Sequence, residues 1–164
     1  MTTALYLENI NKRYKLGNAT EHTFRGDLQN LLEALVQGIA ATNEPQRISC
    51  GAPDYIITRR NIPVGYIEAK DLGTDMNSRV YKEQFDRYKA SLNNLIITDY
   101  IDFRFYLNGE FKTSVRIAEI NNGKINALTE NFPAFETLIR DFCAFLGQTI
   151  RSPRKLAEMM AAKA

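Results

Sequence analysis

The sequence predicts an α/β domain in which a mixed β-sheet is flanked by helices. Three observations carry this. Residues 55–58 (Tyr-Ile-Ile-Thr) and 64–67 (Val-Gly-Tyr-Ile) are rich in β-branched and aromatic types, and the polar, Pro-containing stretch Arg59 to Pro63 between them suggests a hairpin. Leu95-Ile96-Ile97-Thr98 is almost continuously apolar, as a central strand covered on both faces must be. Apolar residues recur at helical spacing before, between and after these strands.

Taken in order, Ala4 to Ile10 reads as a short helix or strand, followed by the basic cluster Lys12, Arg13 and Lys15. That cluster is either a solvated face or a phosphate contact. Phe24, Leu28, Leu31, Leu32, Leu35 and Val36 predict a helix over about 24–41, ending near Gly38 and the Thr42-to-Pro45 breaker. Gln46 to Cys50 is read as the first sheet strand. A helix is expected over about 77–91, strands over 95–100 and 103–107, and a tight hairpin at Asn108-Gly109. Phe111 and Val115 to Ile120 continue beyond it, with Asn121-Asn122-Gly123 as a further turn. Thr98 and Asp99, at the end of a buried strand, are read as structural. Pro133 opens a last amphipathic helix carrying Phe135, Leu138, Ile139, Phe142, Phe145 and Leu146 toward the core.

Composition narrows the class of protein. The 164 residues suit one domain with a substantial core, and 45% apolar with 24% charged residues is ordinary for a globular chain. No apolar run is long enough to span a membrane, and no signal-peptide pattern opens the chain. Cys50 and Cys143 fit no metal-ligand spacing and are expected to be reduced and buried. His22 is the single histidine, which excludes a His-based metal cluster or triad and leaves it a structural or ligand-contact role. A net charge of +2 is too small to announce a polyanionic partner.

The chemistry concentrates between Pro53 and Lys70. Side chains alternate along a strand, so Glu68 and Lys70 emerge on one face and Ala69 points away, while Asp54 opens the neighbouring strand. Two carboxylates and an ammonium converging at a sheet edge suit a hard divalent cation and a phosphoryl substrate. A bare Glu-x-Lys is otherwise a solvated ion pair of little consequence.

Pro53-Asp54 followed after thirteen residues by Glu68-Ala69-Lys70 resembles the signature of the PD-(D/E)XK nuclease superfamily. Gln84 and Tyr88, one helical turn apart, are similar to an accessory motif that follows the lysine in several branches of it. The resemblance covers about residues 20–110. The stretches Thr20 to Arg25, Gly51 to Asp54 and Leu95 to Tyr106 look closest to the N-terminal nuclease domains of type ISP single-chain restriction-modification enzymes. Type I motor subunits are more distant.

The resemblance implies a restriction-endonuclease-like fold and hydrolysis of DNA phosphodiesters by metal-activated water. It implies Mg²⁺, with Mn²⁺ as a substitute, held by Asp54, Glu68 and the Ala69 carbonyl. Glu33 is a candidate extra metal or water ligand, its alternative being an ordinary exposed helix glutamate, and Glu21 is a weaker competitor. Lys70 would position the water, with Gln84 and Tyr88 steadying it or the scissile backbone. Lys82, Arg87 and Lys89 are either phosphate contacts or a solvated face.

The expected layout is one nuclease domain over 1–164. It has a core at about 20–110, C-terminal strands and a helix at about 111–150, and a tail or linker over 151–164 leading to further domains. Double-stranded DNA is the implied partner, with translocase, methyltransferase and target-recognition parts on the same polypeptide. A second nuclease copy is implied for double-strand cleavage, and the bacterial cytoplasm as the location. The chain has no GxxxxGK[ST] loop or methyltransferase signature of its own. Two alternatives share the fold: a non-enzymatic DNA-binding or assembly module, and a stand-alone repair or phage-type nuclease.

Overall fold

Tyr6, Leu7 and Ile10 fall on one face of the first helix, α1 (Thr3–Lys15), and all three are buried. The Thr2 side chain caps its start by accepting from the Leu5 N–H at 3.1 Å, and Lys12, Arg13 and Lys15 sit in its last turn, where cations suit the helix dipole. The computed structural model describes residues 1–17, 23–43, 53–147 and 149. The expectations for Glu21, His22, the strand at Gln46 to Cys50 and the tail after 151 lie outside these residues.

The second helix, α2 (Arg25–Leu35), buries Leu28, Leu31 and Leu32 and ends well before position 41. Val36 turns extended and Gly38 takes a φ of +83°, after which Ile39–Asn43 forms strand β1. Helical periodicity thus overran a strand. Ala40 and Ala41 favour helix intrinsically, but Gly38 breaks the helix and antiparallel pairing with the next strand takes Ala41 into the core.

That next strand, β2 (Tyr55–Arg59), turns back into β3 (Ile62–Ala69) through Arg60 and Asn61. Both turn residues have positive φ, as a two-residue hairpin matched to strand twist requires. Strand β4 (Asn94–Thr98) then pairs with β3 in parallel, Glu68 beside Ile97 and Ala69 beside Thr98. A parallel pair needs a crossover, and α3 (Arg79–Ser91), capped by the Ser78 side chain, supplies it. Strands β5 (Asp102–Leu107) and β6 (Glu110–Arg116) add antiparallel neighbours, giving one six-stranded mixed sheet in the order β1-β2-β3-β4-β5-β6.

The expected run from Val115 to Ile120 is interrupted at Ile117. Its N–H bonds the Ile101 carbonyl at 2.8 Å, and Ala118–Asn121 (β7) leaves to form a separate hairpin with Lys124–Ala127 (β8). The last helix, α4 (Phe132–Cys143), begins around Pro133 as expected and buries Phe135, Leu138, Ile139 and Phe142. It ends before the rest of the expected apolar face: Phe145 is only half-buried and Leu146 is exposed, because the helical period that would carry them inward stops at Cys143. Cys143 is buried with a free thiol.

Two apolar layers sandwich the sheet. One collects residues of α1, α2 and α4 with Ile67 and Ala69 of β3; the other collects Phe85, Tyr88 and Leu92 of the α3 region with Tyr66, Leu95 and Ile97. Strand alternation therefore sends Tyr66 and Glu68 toward α3, and Ile67 and Ala69 toward α2 and α4.

Candidate active site

Antiparallel pairing of β2 with β3 sets Tyr55 opposite Ile67, so the start of one strand meets the end of the other. Asp54, just before β2, is buried there, and its Oδ2 accepts the Ala69 N–H at 2.8 Å. Its Oδ1 accepts from Arg25 Nη2 at 2.7 Å. Glu68 is 1% exposed, and its Oε2 lies 3.2 Å from Lys70 Nζ. The Lys70 N–H continues the sheet by bonding the Thr98 carbonyl at 2.8 Å, which holds the lysine backbone just past the end of β3.

Helix α3 completes the cluster. Tyr81, Gln84, Phe85 and Tyr88 recur at three- and four-residue spacing and share its sheet-facing side. Gln84 Oε1 accepts from Lys70 Nζ at 2.8 Å. The ammonium also stands 4.8 Å from the centre of the Tyr81 ring and 5.7 Å from that of Phe85, two rings stacked 5.6 Å apart. Burial, then the negative charges of Glu68 and Asp54, push the Tyr88 hydroxyl well above its ordinary pKa. A hydrogen bond to Glu68 adds to this, while one with Gln84 opposes it. Tyr88 therefore stays protonated at neutral pH and donates to the carboxylate.

Asp54, Glu68, Ala69, Lys70, Gln84 and Tyr88 are thus brought together. Glu33 is not. It is exposed, accepts the Ala41 N–H at 3.2 Å, and lies eight residues (about 12 Å of helix) from Arg25, the α2 residue that reaches Asp54. The correction has a physical cause: α2 meets the site with its N-terminal turn, and Glu33 ties the far end of the helix to β1.

Lys82 pairs with Asp86 at 2.6 Å, Lys89 with Asp86 at 3.4 Å, and Arg13 with Asp27 at 2.6 Å. Thr98 and Asp99 shape the β4–β5 turn: Thr98 Oγ1 accepts the Tyr100 N–H, and Asp99 Oδ1 accepts those of Ile101 and Asp102. A cleft of about 520 Å³ opens along Leu72 to Asn77, beyond Lys70, where Asp102 draws in Arg104 and Arg116 at 3.6 and 3.5 Å.

Sequence reasoning missed three participants. Arg25 entered only as the end of the Thr20-to-Arg25 stretch and was given no role; the available signal was an arginine opening an amphipathic helix, 29 positions before Asp54. Tyr81 and Phe85 read as core spacing, and only the placement of Gln84 between them hinted at Lys70.

No family model and no curated protein matches this sequence. Among solved structures, a cryo-EM structure of a DrdV–DNA complex matches with a TM-score of 0.62 at 20% identity. The match covers 87% of this chain and 13% of that one. At that identity the likeness concerns fold. With the six-stranded mixed sheet between helices, it is consistent with a restriction-endonuclease-like α/β fold.

Proposed function

We propose that this chain is a metal-dependent DNA endonuclease domain that hydrolyses phosphodiester bonds. The observation that carries the proposal is the convergence of Asp54, Glu68 and Lys70 with Gln84 and Tyr88 at the end of β3. Burying two carboxylates in one site is costly unless cations accompany them. Here the protein invests in both, 5% and 1% exposed, and sets Arg25 and Lys70 against them.

The donor set fits Mg²⁺ or Mn²⁺. Among the described residues no three His, Cys, Asp or Glu side chains form a metal cage. Two carboxylates and a carbonyl suit instead an ion that keeps waters and takes substrate phosphate as further ligands. Asp54, Glu68 and the Ala69 carbonyl would hold the ion, which supplies Lewis-acid polarisation of a phosphoryl oxygen and a more acidic water.

The remaining work belongs to side chains. Lys70 orients the attacking water and offsets charge developing on the phosphoryl oxygens. Gln84 fixes the ammonium through its Oε1, and the Tyr81 and Phe85 rings close off its other side. Tyr88, held protonated, keeps Glu68 oriented. No base-reading element is part of the cluster, so cleavage by this chain alone is weak or indifferent to sequence.

The span of 13% of the matched DrdV chain supports a further part of the reading. We place this domain as the cleavage module of a larger ATP-dependent restriction-modification polypeptide of type ISP character. Translocase, methyltransferase and target-recognition parts would then lie elsewhere on that polypeptide.

The test is nicking of supercoiled plasmid with Mg²⁺, Mn²⁺, Ca²⁺ or EDTA, beside Asp54→Ala and Lys70→Ala proteins verified as folded. Cleavage that needs Mg²⁺ or Mn²⁺ and vanishes in both variants is the expected result. Cleavage surviving both substitutions would put the site elsewhere.

A further inference from the structure

Resting on that nuclease reading, we propose that Arg25 is a built-in counter-cation of Asp54. An incoming divalent ion must displace it, and the displaced guanidinium then binds the scissile phosphodiester.

The pair is enclosed: Arg25 Nη2 lies 2.7 Å from Asp54 Oδ1, with the two side chains 10% and 8% exposed. Asp54 Oδ2 is already committed to the Ala69 N–H. Oδ1 is therefore the oxygen that faces a cation, and the cation now facing it is Arg25. A buried carboxylate stripped of its partner is strongly destabilising, which explains why the protein supplies a positive charge there from its own chain. Two cations crowding one carboxylate oxygen repel each other, so metal and guanidinium compete for Oδ1.

The arginine is tethered at its backbone. The buried Tyr55 hydroxyl donates to the Arg25 carbonyl at 3.0 Å, so the main chain stays in place while the long side chain swings. Released beside two carboxylates and Lys70, a planar guanidinium matches the paired nonbridging oxygens of a phosphodiester better than any other side chain. Metal entry and phosphate capture become linked steps. The metal-free site meanwhile keeps its carboxylates neutralised.

The experiment compares the parent with Arg25→Gln and Arg25→Lys, using Mn²⁺ alone as the binding probe and supercoiled plasmid as the substrate. Arg25→Gln is expected to bind Mn²⁺ about tenfold tighter while nicking about tenfold or more slowly. Arg25→Lys, which keeps the charge, should bind Mn²⁺ as the parent does. If the glutamine protein is too unstable without metal for titration, its melting temperature should rise more with Mn²⁺ than the parent's does.

Equal or weaker Mn²⁺ binding by a folded Arg25→Gln protein would overturn the counter-cation role and leave Arg25 as scaffolding. Tighter binding with unimpaired nicking would overturn the phosphate role. A parent that binds Mn²⁺ but never nicks would sink the nuclease reading instead, and the affinity comparison would still decide whether Arg25 competes with the ion.

Discussion

Lys70 Nζ and Gln84 Oε1 lie 2.8 Å apart, and this bond joins the end of β3 to the middle of the crossover helix α3. An ammonium on four rotatable bonds has little reason to hold one position at a sheet edge. Gln84 removes that freedom with a neutral acceptor, leaving the Lys70 charge uncancelled except by Glu68. Replacing Gln84 with Leu keeps the helix and the volume but removes the acceptor. We expect nicking to fall by about 10–100-fold, as when a supporting residue is lost, with the far-ultraviolet spectrum unchanged. A rate within twofold of the parent would show that Lys70 needs no such tether.

Tyr81 bears on the same ammonium from its ring face, at 4.8 Å. A Tyr81→Phe protein retains the π-face and should nick at close to the parent rate. Tyr81→Leu retains bulk without the quadrupole, and its kcat should drop about two- to fivefold, from a cation–π contact worth roughly 0.5–1 kcal/mol. Its KM for DNA should stay unchanged. Equal losses in both variants would point to the Tyr81 hydroxyl, and a change confined to KM would make Tyr81 a DNA contact.

How much of this was legible beforehand depended on whether the determinant was local. Alternation along β3 placed Glu68 and Lys70 together and Ala69 behind them because strand period is insensitive to context. The turn at Asn108-Gly109 was equally readable, since both residues adopt the positive φ that Asn and Gly tolerate. Strand β1 was not legible: Ile39-Ala40-Ala41 acquires its conformation from the ladder with Thr58 and Ile57, partners far along the chain. The Arg25–Asp54 pair spans 29 positions and depends on how α2 docks, which no spacing rule encodes. Glu33 was misplaced for the same reason. Its helix was foreseen, but which end of it meets the site was not.

The buried tyrosines set the alkaline limit of the fold. Burial above all holds the Tyr6, Tyr55 and Tyr88 hydroxyls far above their ordinary pKa, with nearby charge or polar groups adding to it. In the unfolded chain these groups lose their protons near pH 10, whereas the folded protein retains them. The folded state then binds more protons than the unfolded one, so stability is whole below about pH 10 and declines as pH rises beyond it. Three such groups give a slope of about 4 kcal/mol per pH unit. Urea melts at pH 8, 9, 10 and 11 should show a midpoint flat to pH 9 and falling steeply after pH 10. Tyrosinate absorbance from these three should appear only on unfolding, and early titration of all eight tyrosines in the folded protein would contradict their burial.

Gly65 and Phe142 mark where α4 closes onto the sheet. A Cβ built at Gly65 would stand 2.5 Å from Phe142 Cζ, too close for any two carbons to remain. The approach is kept by Asn94, whose Nδ2 donates to the Val64 and Phe142 carbonyls at 2.7 Å each and so ties β3, β4 and the end of α4 at one point. Gly65→Ala should therefore push the Phe142 ring out of a well-packed layer and destabilise the fold by about 1–3 kcal/mol. Phe142→Leu alone should cost about 1–2 kcal/mol through lost contact area. The double variant is the decisive measurement. If the methyl and the ring compete for one space, its loss of stability should fall short of the two single losses added together, by about 1 kcal/mol. Strict additivity in urea melts would mean that α4 docks more loosely on β3 than the 2.5 Å approach implies.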